Sequence, residues 1–158
     1  MSQVIDFAQM FSNASSFDAN LSPWDTSQAK NMSYMFAGAS SFRSNGSVEK
    51  WNVSNVLTAK SMFLDASLFD ANLSQWDVSK VSDMSYMFYG ASSFRGNGSV
   101  ENWNVSNVLT AESMFEGAPV FDANLSQGDV SKMYDMSHMF SNASSPRHWI
   151  RFLVYKCR

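Results

Sequence analysis

The sequence lacks most of the features that mark secreted or membrane-spanning proteins. It has a single cysteine, Cys157, so no internal disulfide can form and the redox compartment is left open. No apolar run approaches the roughly 20 residues of a membrane helix, and the first residues show no signal-peptide pattern. We therefore expect no transmembrane segment, and the residues alone leave the location unknown.

Basic residues are scarce over most of the chain. Residues 1–145 hold all 14 acidic residues and 7 of the basic ones, whereas residues 146–158 hold the other 4 basic residues and no acid. Nucleic-acid binders need a basic face to neutralise phosphates, and an acidic body lacks one. We therefore expect no nucleic-acid partner.

The common patterns of catalytic and metal-binding residues are also missing. The two histidines, His138 and His148, belong to no zinc-type cluster, and no phosphate-binding loop or nucleophile elbow occurs. His138 occupies a repeated position that Tyr34 shares, which favours a surface role. The segment that begins at Asp18 has carboxylate and amide groups but lacks the rest of a calcium loop. We expect no catalytic residues, no metal, no cofactor and no enzyme activity.

What the sequence does contain is a repeat. The dipeptide Met-Phe recurs at spacings of 25, 27, 25, 27 and 25 residues, beginning at Met10, Met35, Met62, Met87, Met114 and Met139. Every second unit is nearly identical, since FDANLSPWD returns as FDANLSQWD and FDANLSQGD. A unit of this size cannot bury its own apolar side chains, so the repeats are expected to stack and form a shared core.

Aligned repeats place similar side chains in columns that run along the stack. Two columns consist of phenylalanine and one alternates leucine with valine. A tryptophan column contains Trp24, Trp51, Trp76 and Trp103, and Gly128 interrupts it. Two interpretations of this column stay open, because the rings could pack in the core or form an aromatic strip that stacks on sugars.

Local patterns predict one strand and one helical turn in each repeat. The stretch 73–78 is rich in aromatic and branched residues, and Met84 and Met87 are three residues apart, as on a helix face. We predict an α/β fold, a single-domain leucine-rich-repeat-like solenoid of coils of about 25–27 residues. An all-β solenoid is the alternative if the helical turns do not form.

A charged column accompanies the apolar ones. The residue after the second phenylalanine alternates in sign along the chain: Asp18, Arg43, Asp70, Arg95 and Asp122. Opposite charges on neighbouring coils attract, by roughly 0.2–1 kcal/mol for each pair, and like charges repel. Two successive repeats together span 52 residues, and the pattern recurs with that period. Either packing and charge between repeats select this period, or one duplication copied it. These five residues and the four tryptophans form the candidate binding or stacking face.

The motif MFxGAxxF followed by LSxWDVSxV, as in MFAGASSF and LSQWDVSKV, resembles the BspA-like leucine-rich-repeat surface proteins, also described as the mycoplasma-lipoprotein 25-residue repeat. The match recurs in every unit from about residue 4 to residue 145. The resemblance implies a solenoid, an extracellular or cell-surface location, and adhesion or partner binding. It implies no catalytic residues.

The array is expected to begin and end within a repeat. Residues 1–145 form the predicted repeat domain, and the basic tail 146–158, PRHWIRFLVYKCR, leaves the pattern abruptly. The tail is either a gene-model artefact or a cap on the last repeat. Open ends would expose apolar surface and favour end-to-end self-association.

These observations predict a non-catalytic repeat scaffold that binds a protein or a glycan and forms part of a larger surface protein. One alternative is a carbohydrate-active or other catalytic β-solenoid domain. Such an enzyme would have a few acidic residues at positions that break the repeat pattern. The acidic residues here recur at equivalent positions of the repeat. A second alternative is a gene fragment without function.

Overall fold

The computed structural model describes residues 4–96 and 98–143, in which each repeat lies on the next in register. Single parallel β-bridges join residues that are 25 or 27 positions apart. They form one row along the stack: Asp6 to Asn31, Asn31 to Thr58, Thr58 to Asp83, Asp83 to Thr110, and Thr110 to Asp135. The predicted tail, 146–158, and its boundary lie outside the described residues.

The predicted α/β solenoid is wrong. Residues 4–96 and 98–143 contain no helix and no strand longer than an isolated bridge. The alternative with β-strands in each coil is therefore wrong as well. The stretch predicted as a strand closes a turn, in which the Trp76 N–H donates to the Leu73 carbonyl at 3.0 Å. The stretch predicted as a helix is a run of turns.

The backbone hydrogen bonds explain why these turns do not become a helix. The Met35 N–H donates to the Met32 carbonyl at 3.2 Å, which is a local turn. The next N–H, that of Phe36, donates to the Met62 carbonyl of the following repeat at 2.9 Å. Donors alternate in this way along the segment, whereas an α-helix directs every N–H to the carbonyl four residues back.

Some residues in this segment adopt the left-handed backbone conformation, with positive φ. Tyr34 has φ of 58° and Gly38 has φ of 72°, and the aligned positions of the other repeats are also left-handed. An L-residue pays roughly 1–2 kcal/mol for this conformation, so it persists only where surrounding bonds enforce it. The four N–H bonds to the next repeat at each junction supply that constraint.

Asparagine and aspartate hold the remaining turns. In each case the side-chain Oδ1 accepts the backbone N–H of the residue two positions later, which is usually serine. This arrangement recurs through the stack at Asn20, Asp25, Asn31, Asn52, Asn72, Asp77, Asp83, Asn104, Asn124, Asp129 and Asp135. The abundance of Asx-x-Ser triplets is therefore explained by turn formation.

The phenylalanine columns form one continuous core. Phe36 and Phe63 of successive repeats stack with their centroids 5.6 Å apart and their planes 1° from parallel. Phe88 continues the column beyond Phe63 at the same 5.6 Å spacing. Within a repeat, Phe36 also stacks on Phe42 at 4.2 Å. These rings are fully buried, and aromatic pairs add roughly 0.5–1.5 kcal/mol each beyond the burial of their surface.

Candidate binding face

The charged column forms two Asp–Arg pairs on the surface. The backbone N–H of Arg43 donates to Asp18 Oδ1 at 2.9 Å, and its guanidinium Nη1 lies 3.9 Å from Asp18 Oδ2. Arg95 repeats the arrangement on Asp70, with a backbone bond of 3.0 Å and an ion pair. The arginine side chains stay 53% and 63% exposed, so both guanidinium groups can meet a partner.

The pairing has a direction. Each arginine binds the aspartate of the repeat before it, and among the described residues neither forms an ion pair with the aspartate that follows. The two pairs are two repeats apart, which is about 10 Å at the spacing of neighbouring strands. Asp122 continues the column, and its Oδ1 is buried without a hydrogen-bond partner in the described part of the chain. We call these five residues the Asp–Arg face.

Three of the four tryptophans, Trp51, Trp76 and Trp103, are buried in the core, whereas Trp24 is partly buried. Trp24 stacks on Trp51, and Trp76 stacks on Trp103, with both pairs of centroids 6.4 Å apart. The buried indoles also use their polar atom, since Trp76 Nε1 donates to the Val48 carbonyl at 2.9 Å. Trp51 and Trp103 make equivalent bonds of 3.3 and 3.2 Å. The three buried rings therefore present no open face to a sugar.

Sequence reasoning missed a cleft that lies between the first two repeats. Its volume is about 280 Å³, and its wall combines parts of two indoles with polar groups: Ser22, Trp24, Asp25, Thr26, Gly46, Ser47, Lys50, Trp51 and Asn52. Thr26 Oγ1 donates to the Asn52 carbonyl at 3.1 Å and closes one side. The available signal was a break in the columns, because Thr26 stands where the other repeats have valine.

Hydrogen bonds from serine lower the pKa of several aspartates. The Ser27 hydroxyl, and then the Ser27 backbone N–H, lower the pKa of Asp25. Ser79 lowers the pKa of Asp77 in the same order. These hydrogen bonds favour the ionised form and keep the two carboxylates charged to a lower pH than an ordinary aspartate, which suits a charged surface better than a proton-donating one.

The described residues meet neither the requirements of a metal site nor those of a membrane-spanning helix. Within residues 4–96 and 98–143, no group of three or more His, Cys, Asp or Glu side chains could hold a metal ion. No helix in that part is long and apolar enough to cross a bilayer. His138 is exposed and has the left-handed backbone of its column, with φ of 55°.

Comparison with known proteins gives a family and no closer relative. No curated protein and no solved structure matches the chain. One family matches residues 1–99 and again residues 43–151, and so covers nearly the whole array. The chain therefore belongs to the family described as Mycoplasma protein of unknown function, DUF285.

Proposed function

We propose that the chain is a non-catalytic scaffold that binds a protein or a glycan through the Asp–Arg face. The observation that carries the proposal is the pair of exposed guanidinium groups, each anchored by an aspartate that also accepts the arginine's backbone N–H. Such anchoring orders the side chain before binding and lowers the entropy that is lost on association. Arginine is also the cation most often found at the energetic centre of interfaces.

The wider role rests on the resemblance to BspA-like surface proteins. We propose that the chain is part of a larger protein at the cell surface, where the Asp–Arg face serves adhesion. The family match supports a mycoplasma-type repeat, and the finer assignment to BspA-like proteins stays part of this proposal.

The absence of enzyme activity is likewise a proposal. Acid catalysis at neutral pH needs a carboxyl whose pKa is raised towards neutrality. Here the pKa values of Asp25, Asp77 and Asp135 are lowered by the serine two residues on. These residues also recur by column, so they support a repeated charged surface. Incubation of the chain with defined oligosaccharides tests the rival interpretation, and release of cleaved products would contradict the proposal.

The binding test replaces both arginines of the Asp–Arg face. An array of purified extracellular proteins and defined glycans is probed with the full chain and with the double variant Arg43→Gln/Arg95→Gln. Exposed ion pairs contribute roughly 0–1 kcal/mol to stability, so the variant should stay folded. We expect at least a tenfold loss of affinity for any ligand of the unmodified chain.

A matched control removes two cations elsewhere. Lys80 and Lys132 donate to Asn55 and Asn107 on another column, so Lys80→Gln/Lys132→Gln makes the same change in net charge. This variant should keep the affinity of the unmodified chain. Equal losses of affinity in both double variants would show that net charge alone explains the effect. Binding that survives the arginine changes would overturn the proposal.

A further inference from the structure

We propose that the cleft between the first two repeats binds one acidic monosaccharide unit of a glycan. The inference rests on the proposed binding function and names the ligand class of a second site. The cleft is lined by residues of two successive repeats in nearly equal number, and its volume is about 280 Å³. Sites for drug-sized molecules run from about 300 to 1,000 Å³, so this cleft suits a single sugar ring.

Three polar side chains of the cleft retain groups that can bind a ligand. Asp25 accepts hydrogen bonds from Ser27, and because its carboxylate is exposed and offers about four lone pairs, it keeps acceptor capacity for a sugar hydroxyl. Asn52 uses Oδ1 in its turn with Ser54, which leaves Nδ2 as a donor. Lys50 is exposed and pairs with no carboxylate in the described part of the chain. An acceptor, a donor and a cation together fit a hydroxylated ring that carries a carboxylate.

The apolar part of the cleft also suits a sugar. Trp24 is only partly buried, unlike the other three tryptophans of its column. Its ring stacks on Trp51 and also contacts Phe7 and Phe11, and the part that stays exposed lines the cleft, where it can contact the C–H groups of a pyranose. The lining therefore combines an aromatic surface with polar groups in one small cleft.

The cleft is distinguished from its repeated copy by sequence. Fifty-two residues later, Val78 replaces Thr26 and Asn102 replaces Lys50, while Asp77 and Asn104 match Asp25 and Asn52. The cation that selects an acid occurs in the first copy, and the second copy therefore serves as an internal control.

The test uses the full chain with D-glucuronate as the probe and D-glucose as its uncharged counterpart. Binding is measured by saturation-transfer NMR and by titration calorimetry. We expect a Kd for glucuronate in roughly the millimolar range and at least tenfold weaker binding of glucose. Lys50→Gln should reduce glucuronate binding to the level of glucose.

Two matched variants separate recognition from folding. Asn52→Asp keeps the Oδ1 that forms the turn and removes the Nδ2 donor, so it should weaken both sugars. Asn104→Asp makes the same change in the second copy and should leave binding unchanged. Failure of glucuronate to bind, equal binding of both sugars, or equal effects of the two Asp variants would overturn the inference. The arginine variants of the Asp–Arg face test the broader function separately, because neither arginine lines the cleft.

Discussion

At the scale of single residues, glycine is required where a left-handed backbone meets a packed ring. Gly96 has φ of 71°, and a Cβ added to it would lie 2.5 Å from a ring carbon of the fully buried Phe121. Gly46 has φ of 82° and no atom within 4 Å of the same position. An L-residue would be strained by the left-handed backbone at either site, and of the two only Gly96 adds a steric clash.

We therefore expect Gly96→Ala to cost more stability than Gly46→Ala. The left-handed backbone costs an L-residue about 1–2 kcal/mol at both sites, and overpacking adds about 1–3 kcal/mol at Gly96. Urea unfolding of the two variants measures the difference. Equal losses would show that Phe121 moves aside freely and that only the backbone matters at these positions.

Another residue-scale prediction concerns Gly128, where the tryptophan column is interrupted. It lines an apolar void of about 40 Å³, together with Trp103, Phe115 and Leu125. A valine side chain placed there should fill the void and raise the free energy of unfolding by about 0.5–2 kcal/mol. Thermal unfolding of Gly128→Val provides the measurement, with Gly128→Ser as a small polar control. A valine variant no more stable than the serine variant would show that the space is not free for a side chain.

At the scale of elements, a three-residue spacing between apolar side chains fits two structures, a helix and a chain of β-turns. Met32 and Met35 are three apart, and this spacing predicts a helical face. A chain of β-turns buries the same residues, because the Met35 N–H bonds back to Met32 while the Tyr34 N–H donates to Lys60 of the next repeat. A single sequence shows the spacing of apolar side chains, but it does not show which carbonyl accepts each backbone N–H. The helix could therefore not be excluded from the sequence.

The columns were easier to predict than the elements or the site. Equivalent spacing places Phe36 on Phe63 whatever the backbone does between them, and these rings do stack. The Asp–Arg pairs followed from the same alignment, although not their direction. The cleft could not be located from the sequence, because the alignment shows that Thr26 breaks the valine column but not that Gly46, Ser47 and Lys50 lie beside it.

The turns held by aspartate predict a dependence on pH. The serine hydroxyl and backbone N–H lower the pKa of Asp25 and Asp77 below the ordinary value of 3.8. A carboxyl with a lowered folded-state pKa stabilises the fold above pH 3.8, and that contribution is lost as pH falls through the lowered pKa. The double variant Asp25→Asn/Asp77→Asn keeps both Oδ1 acceptors and removes both titrating groups.

This variant should therefore lose less stability than the unmodified chain as the pH falls from about 5 to about 2. Urea midpoints at a series of pH values measure the two slopes. Asp65→Asn provides the control, since Asp65 lies outside these turns. Parallel curves for the double variant and the unmodified chain would show that other groups set the acid limit.

At the scale of the whole molecule, the 52-residue period raises the question left open by the sequence. Duplication alone would produce the alternation of Asp18, Arg43, Asp70 and Arg95 without any need for it. The structure shows that both arginines contact the aspartate of the preceding repeat. The alternating charges therefore form ion pairs at two of the junctions between repeats. Their contribution to stability can be measured by changing which repeats are neighbours.

Deletion of residues 31–57 removes one repeat and places Asp18 against Asp70. In this shortened chain, Asp18→Arg removes the repulsion between the two carboxylates and should raise stability by roughly 0.2–1 kcal/mol. In the full chain the same substitution places a second guanidinium against Arg43, and it also removes the acceptor of the Arg43 N–H and of Asn45 Nδ2. It should therefore lower stability there, by about 1 kcal/mol or more.

Opposite effects of one substitution in the two chains would show that charge between neighbouring repeats maintains the two-repeat period. Asp18→Asn is the control in both, because it removes the charge of Asp18 and keeps an Oδ1 acceptor. Urea unfolding of both chains and their variants gives the comparison. If Asp18→Arg lowers stability equally in both backgrounds, the alternating signs are inherited from duplication, and the phenylalanine core alone sets how the repeats stack.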